Sequence, residues 1–294
     1  MSVHASVCIA MVMVLGSVTQ AEWRNALKPR GEPAASVAVV KAGKPVGTLQ
    51  CPAQPTGPER KAADDLQHWI RAMTGATLEI TSGDAETCSI VIGTDPSLGD
   101  EGYRIAVDDG RLILFGGRTR GVINAVYALL EEDLGCRFYT NESIRLPASD
   151  TLILAPVARQ YIPQLKIRDP YYACAFDPVW SLRNRTNAPS AKVPEAYGGQ
   201  LDYDGMYVHT VAQIVPADTY FTDHPEYFAQ HANGSRTTHQ LCPTEPGVIA
   251  ATIEYVRKVL KDNPHTEILS VSKNDNMEIC HCERCGKLRD AEGS

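Results

Sequence analysis

The sequence carries no basic stripe, no second long apolar run and no cysteine where an N-terminal leader would be trimmed. With 28 Lys+Arg against 35 Asp+Glu, the formal net charge is -7, which argues against a nucleic-acid partner. The one short basic cluster, Arg183-Asn184-Arg185, reads as a solvated loop or as a holder of an anionic substrate group. After residue 18 nothing is apolar enough to span a bilayer, which takes about 20 residues. The absent cysteine argues against a lipid anchor. Hydrophobic residues are not scarce: 44% hydrophobic and 21% charged is the balance of a globular chain and excludes disorder. At 294 residues, one large or two ordinary domains are expected.

What is present begins with Val7–Val18, an apolar core too short to span. Thr19-Gln20-Ala21 follows, with Glu22 opening the mature chain. This pattern predicts an export signal over residues 1–21 and a secreted or periplasmic protein with no membrane partner after cleavage. The positive charge usual at its start is limited to His4 and the α-amine, so a buried N-terminal helix is the alternative. Of nine cysteines, Cys8 leaves with the signal. Cys51, Cys88, Cys136, Cys174, Cys242, Cys280, Cys282 and Cys285 remain, an even set that an oxidising compartment permits to pair. Cys88 and Cys136 lie in apolar contexts and read as buried free thiols.

Two modules follow. In the first, residues 34–156, Ser36–Val40 reads as a strand and Gly57-Pro58-Glu59 opens a helix. That helix presents Ala62, Leu66, Trp69, Ile70 and Met73 on one face and stops at Gly75. Strands are expected over Thr77–Thr81, Ser89–Ile92, Tyr103–Val107 and Arg111–Phe115, the last two joined by a hairpin turn at Asp108-Asp109-Gly110. A second helix follows Gly116-Gly117, its apolar face Val122, Ile123, Val126, Leu129, Leu130 and Leu134, with Gly135 as its stop. The glycines there, with Gly121, read as a close backbone approach rather than a phosphate cradle. Mostly antiparallel strands with two helices make an α+β layer structure.

In the second module, residues 164–294, the rhythm changes. Leu165-Lys166-Ile167 reads as a strand, Tyr207-Val208-His209 and Gln240-Leu241-Cys242 as strand ends. Pro246-Gly247 opens a helix ending at Asn263-Pro264, and Ile268–Val271 reads as a further strand. This is the βα alternation of a parallel sheet or (β/α)-barrel. Against roughly 250 residues for eight units, about half of such a barrel is expected here. The stretch Glu267–Cys285, EILSVSKNDNMEICHCERC, then places Asn274-Asp275-Asn276 just past a strand end, where barrels hold their chemistry. An Asn/Asp-rich turn is the plainer alternative. Cys280, Cys282 and Cys285 with Cys242 form a set that suits either a structural zinc or two disulfides. Four thiolates would close the metal's shell, so no catalytic cofactor is expected. The order is not Cys-x-x-Cys-His, which excludes haem attachment.

The stretches LQHWIRAMTGATLEI, SIVIGTD and GYRIAVDDGRLILFGGRTRGVINAVYALLEEDLGCRFY resemble the N-terminal domain of α-glucuronidases and the accessory domain that precedes the barrel of β-hexosaminidases. HPEYFAQHANGSR, HQLCPTEPGV and SVSKNDNMEICHCERCGKL resemble a family of exported bacterial proteins of unknown function. The resemblance implies a glycoside hydrolase-like barrel acting on an oligo- or polysaccharide, with uronic acid-bearing chains among the substrates. Such cleavage uses two carboxyl groups. Asp275 is the candidate for one; Glu226, Asp169, Asp202 and Asp204 are in play for the other. β-Hexosaminidases carry an Asp-Glu pair after the fourth strand where this chain has Asp275-Asn276, a departure that puts their substrate-assisted mechanism in doubt. Arg168 resembles the arginine that grips a sugar there; pairing with Asp169 or another acid is the alternative. Asn274, Asn276, His209, His224, His239 and Tyr227 are candidate sugar contacts, while Phe228 is expected to pack in a core. The expected function is glycosidic-bond hydrolysis by carboxylate acid/base catalysis. The rivals are a non-catalytic exported glycan-binding protein and an inactive fragment of a longer enzyme.

Overall fold

Thr56 starts the first helix through a capping box: its hydroxyl accepts from the Glu59 N–H while the Glu59 carboxylate accepts from the Thr56 N–H. This satisfies two backbone donors that a helix start otherwise leaves orphaned. The computed structural model describes residues 25–83 and 88–293; the expected export signal lies outside them. Among the described residues no helix is long and apolar enough to cross a membrane.

The first module runs β1 (Val37–Lys41), β2 (Lys44–Pro45), β3 (Thr48–Cys51), α1 (Gly57–Thr74), β4 (Ile80–Ser82), β5 (Cys88–Thr94), β6 (Tyr103–Asp108), β7 (Arg111–Gly116) and α2 (Gly121–Ala128). Helix α2 continues as a π turn over Leu129–Asp133. Then come β8 (Arg137–Phe138), β9 (Ile144–Arg145), β10 (Leu152–Leu154) and β11 (Arg159–Tyr161). The main sheet has the order β11-β6-β7-β5-β3-β4, and β1 pairs with β10 and β2 in a smaller sheet. The expected apolar faces are buried: Ala62, Leu66, Trp69, Ile70 and Met73 of α1 and Val122, Ile123, Val126, Leu129 and Leu130 after β7 share one core with Ile90, Ile92, Leu112 and Leu114 of the sheet.

Gly75 ends α1 at φ 76, and the β6–β7 hairpin turns through Asp109 and Gly110 at φ 47 and 72, the left-handed pair a tight hairpin needs. Most strand pairs of the first module are antiparallel, as expected: β1 with β10 and β2, β6 with β7 and β11, and β8 with β9. The main sheet adds a parallel group that the sequence reading did not specify: β3 runs parallel to β4 and β5, and β5 parallel to β7. Helix α1 follows β3 before β4 and returns the chain to the same end of the sheet, which a parallel neighbour requires.

Beyond β11 the chain forms α3 (Pro178–Arg183), α4 (Val211–Ile214), α5 (Ala217–Tyr220), β12 (Phe228–Gln230), β13 (Arg236–Leu241), α6 (Pro246–Asp262) and α7 (Glu283–Glu292). Leu182, Ala191 and Val193 join the first core, while Val215, Phe228, Leu241 and Val248 form a second, smaller one. The fold is mixed α/β with sheets. Among the described residues of this second part the ladder is a single antiparallel pair, β12–β13, and the expected parallel barrel strands are not seen. Residues 165–167 are exposed coil. Side chains take their carbonyls: Arg168 donates to Leu165 O at 2.8 Å and Asn187 to Lys166 O at 2.7 Å. Residues 207–209 and 268–271 are likewise not strands; their backbone meets neighbours through single bonds rather than a run.

Candidate functional site

Strand β13 and the segment 272–285 make one unit. Gln240, buried on β13, donates to Asn274 O at 2.7 Å and Asn276 Oδ1 at 2.8 Å, and accepts from the Asn274 N–H at 3.3 Å. The Asn274 and Asn276 amides both donate to His239 O, at 2.7 and 3.3 Å. Their amides therefore hold the loop to β13, a role beyond the sugar contact expected of them. Asp275, between them, is exposed, and its carboxylate makes no hydrogen bond or ion pair among the described residues. The sequence marks Gln240 as part of a strand end but not as this tie, because its partners lie 34 and 36 positions away.

Glu278 was likewise not singled out. It accepts from Thr237 Oγ1 at 2.7 Å and faces His239 Nδ1 at 3.3 Å. The Thr237 hydroxyl, and then His239, hold its pKa below its ordinary 4.5. A carboxylate lowered in the folded state adds stability above its ordinary pKa, lost as pH falls through the folded value. Thr237→Val is expected to move the Glu278 titration, followed by carboxyl-carbon NMR, back up towards 4.5.

At the end of this unit the structure brings together Cys242, Cys280, Cys282 and Cys285, their sulfurs all within 4.8 Å of one another. All are free thiols. Cys282 stands as N-cap of α7 and Cys285 in its first turn. Burial pushes Cys280 up and Cys285 up to about 12. At Cys282 burial also acts upwards, but hydrogen bonds from the Cys285 backbone and the other thiols bring it down to about 6. Cys88 and Cys136 are buried and free, as expected.

Arg168 lies elsewhere. It pairs with Glu101 and donates through Nε to Arg185 O at 2.8 Å. Glu101 also holds Arg120, and Asn187 donates to it at 3.2 Å. The partner acid is thus neither Asp169 nor a surface group, and the guanidinium is engaged by the protein. Arg185 pairs with Glu131 and Glu132, and Arg183 lies 5.0 Å over the Trp69 ring, so their cluster is neither a solvated loop nor an open anion holder.

His224 faces Glu226 at 3.0 Å and stacks on Tyr227 at 4.6 Å. The Glu226 carboxyl is lowered first by its own backbone N–H, then by His224. Tyr227 packs on the start of α6, where a Cβ at Gly247 would come within 2.2 Å of the ring; it is a packing residue more than an open platform. Phe228 is buried.

Exposed aromatics gather instead beside Asp169. Tyr171 and Tyr207 are 68% and 36% exposed; Tyr203 meets Tyr207 at 4.8 Å and Tyr171 meets Phe176 at 5.0 Å, both edge-on. Burial, and the nearby Asp169, Tyr171 and Tyr203, hold the Tyr207 hydroxyl up. His209, next along, bonds through its N–H to Ser272 Oγ at 2.9 Å and through Nδ1 to Lys273 O at 3.1 Å. The turns after residues 168, 203 and 272 are thereby neighbours. The repeated tyrosines in DPYY and DYDGMY were the available sequence signal. A cavity of about 560 Å³ beside β13 presents mostly apolar surface, Leu241, Val248, Ile253 and Val271 among its lining, which suits an apolar body better than a sugar.

Residues 138–294 match the family model described as Domain of unknown function (DUF4838). The chain belongs to this family. Ahead of that DUF4838 region, residues 42–134 match Glycosyl hydrolase family 20, domain 2, so the chain is glycoside hydrolase-like in its first module. No curated protein matches the chain. Among solved structures, a family GH20 exo-β-N-acetylglucosaminidase from Vibrio harveyi is 17% identical over 47% of this chain and 18% of its own, at a TM-score of 0.33. The family GH115 4-O-methyl-α-glucuronidase BtGH115A, with specificity for decorated arabinogalactans, is 14% identical over 87% of this chain and 39% of its own, at 0.43. A β-N-acetylhexosaminidase from Bacteroides fragilis is 13% identical over 90% and 58%, at 0.37. The chain spans less than a fifth of the Vibrio enzyme's length.

Proposed function

We propose that this chain is the sugar-recognising part of an exported glycoside hydrolase-type protein, and that the ledge of Tyr171, Tyr203 and Tyr207 beside Asp169 receives an oligo- or polysaccharide. The carrying observation is the gathering of two exposed tyrosines, the half-buried Tyr203 and a carboxylate where three loops meet. Aromatic faces suit the C–H faces of sugar rings, and carboxylates suit their hydroxyls. The export reading rests on the leader pattern Val7–Ala21, and the domain 2 match supports the polysaccharide context.

The barrel reading is part of the proposal. Its support is directional. Asp204 N–H donates to Ile268 O at 3.0 Å and Val211 N–H to Ser272 O at 3.2 Å, so the two segments lie side by side and run the same way. On that reading the ledge and Asp275 belong to the strand-end rim, and hydrolysis uses Asp275 with Asp169 as its partner acid. The non-catalytic reading is favoured by one observation: Asn274 and Asn276 are fastened to β13, which leaves Asp275 without a polar partner.

One experiment separates them. The protein is assayed on uronic acid-bearing oligosaccharides and aryl glycosides, and binding is measured in parallel. Asp275→Asn is expected to abolish turnover and leave binding intact, while Tyr207→Ala weakens binding about tenfold, about 1.4 kcal/mol. Binding without turnover in the unaltered protein would establish the non-catalytic reading.

A further inference from the structure

The four thiols after β13 stand at separations that decide between their two possible uses. Cys242 Sγ lies 3.6 Å from Cys282 Sγ and 3.7 Å from Cys285 Sγ. A disulfide draws its sulfurs to about 2.05 Å, and two disulfides would sort four sulfurs into close pairs standing apart. A tetrahedral zinc with Zn–S bonds of about 2.3 Å holds its sulfurs about 3.8 Å from one another. Cys242 keeps that spacing to two partners at once, and the whole set falls within 4.8 Å.

We propose that Cys242, Cys280, Cys282 and Cys285 bind one structural Zn²⁺. Each thiol entering the shell yields its proton to solvent as its Zn–S bond forms. The surroundings suit a metal-bound sulfur: the Gln230 N–H points at Cys280 Sγ at 3.3 Å, and Thr244 Oγ1 lies 3.1 Å from Cys285 Sγ. Such outer partners orient and neutralise thiolate ligands. Three separate elements meet there, the end of β13, the segment after Glu278, and the first turn of α7. Apart from the cysteines themselves, α7 contributes no residue to the buried cores. Beside the Arg284–Glu245 ion pair, the metal would therefore be what seats α7, and with it the far end of the loop that carries Asp275. Four sulfur ligands leave no open position, so its role is to hold and not to react. This inference stands apart from the sugar reading, since a binding protein or an enzyme would need the clamp equally.

The test uses the whole chain purified without chelator. Elemental analysis is expected to give one zinc per chain, and four thiols should react only after the metal is withdrawn. Cobalt substitution should give the intense visible bands of a tetrahedral tetrathiolate. With the metal removed, trypsin should cut at Lys287 and Arg289 while the first module, with Trp69 buried, keeps its fluorescence. Cys285→Ser should lose the zinc and Cys174→Ser, outside the cluster, should keep it. If Cys285→Ser does not fold, zinc stoichiometry and thiol shielding in the unaltered chain decide. A metal-free chain whose four thiols react at once, a disulfide among the four in a peptide map, or iron in zinc's place would each overturn the proposal.

Discussion

Glu101→Ala is expected to lower the melting temperature by about 10 °C. Glu101 is the shared acceptor of Arg120 and Arg168 and takes a third bond from Asn187. The Arg120 side chain is 2% exposed, and burial pulls its pKa down to about 10, still far enough above neutrality to keep it charged. Its Nη2 also donates to Thr186 O at 2.6 Å, while Nε and Nη1 have no partner among the described residues. Removing the carboxylate leaves that charge buried and uncompensated, a loss of about 3–5 kcal/mol. At about 2–4 °C per kcal/mol for a chain of this size, the shift follows. Asp100→Ala is the contrast: its pair with Arg118 is more than half exposed on both sides, and such pairs contribute about 0–1 kcal/mol. Thermal unfolding by circular dichroism compares the two directly.

Gly116→Ala is expected to be more severe and to yield a chain with no cooperative unfolding transition. A Cβ at Gly116 would come within 1.7 Å of Val122 N and 2.0 Å of Gly121 C. Neither side can give way. Gly116 is held in register with Thr94 and Tyr103 across the sheet, and Val122 is fully buried in α2. The turn joining β7 to α2 would have to open, with a loss beyond the 4–5 kcal/mol that marks exceptional substitutions. Gly110→Asn, by comparison, meets nothing within 4 Å at φ 72, a conformation asparagine tolerates, and is expected to melt close to the parent.

The glycines also illustrate what the sequence made legible. Gly116, Gly117 and Gly121 read as a close backbone approach, and in all three a Cβ would lie within about 2.5 Å of backbone atoms. The Thr56–Glu59 box, the Gly75 stop and the Asp109-Gly110 turn are equally local, set by residues a few positions apart. The apolar faces of α1 and α2 follow from helical spacing alone. What escaped reading depends on distant partners. Parallel pairing of β3 with β5 is a matter of which strands meet, and periodicity carries no record of it. Apolar triplets such as Leu165–Ile167 looked like strands, yet Leu165 is 71% exposed, because side chains from Arg168 and Asn187 claim the carbonyls a ladder would use. Arg168 found Glu101, 67 positions away, where composition suggested its neighbour Asp169. The cysteine set was legible because three of its members sit within six residues, Cys280–Cys285, and thiols have few other reasons to cluster. The tyrosine ledge was not, since its members come from separate loops and only the folded chain sets them side by side.

The most direct test of the sugar-recognition claim is an NMR titration of this chain, selectively labelled at tyrosine, with soluble uronic acid-bearing and N-acetylhexosamine oligosaccharides. Saturable shifts are expected at Tyr171, Tyr203 and Tyr207, none at Tyr127, which is buried in the first core, and loss of the effect in Tyr207→Ala. Unmoved ledge resonances at millimolar sugar, or equal shifts at Tyr127, would contradict the claim.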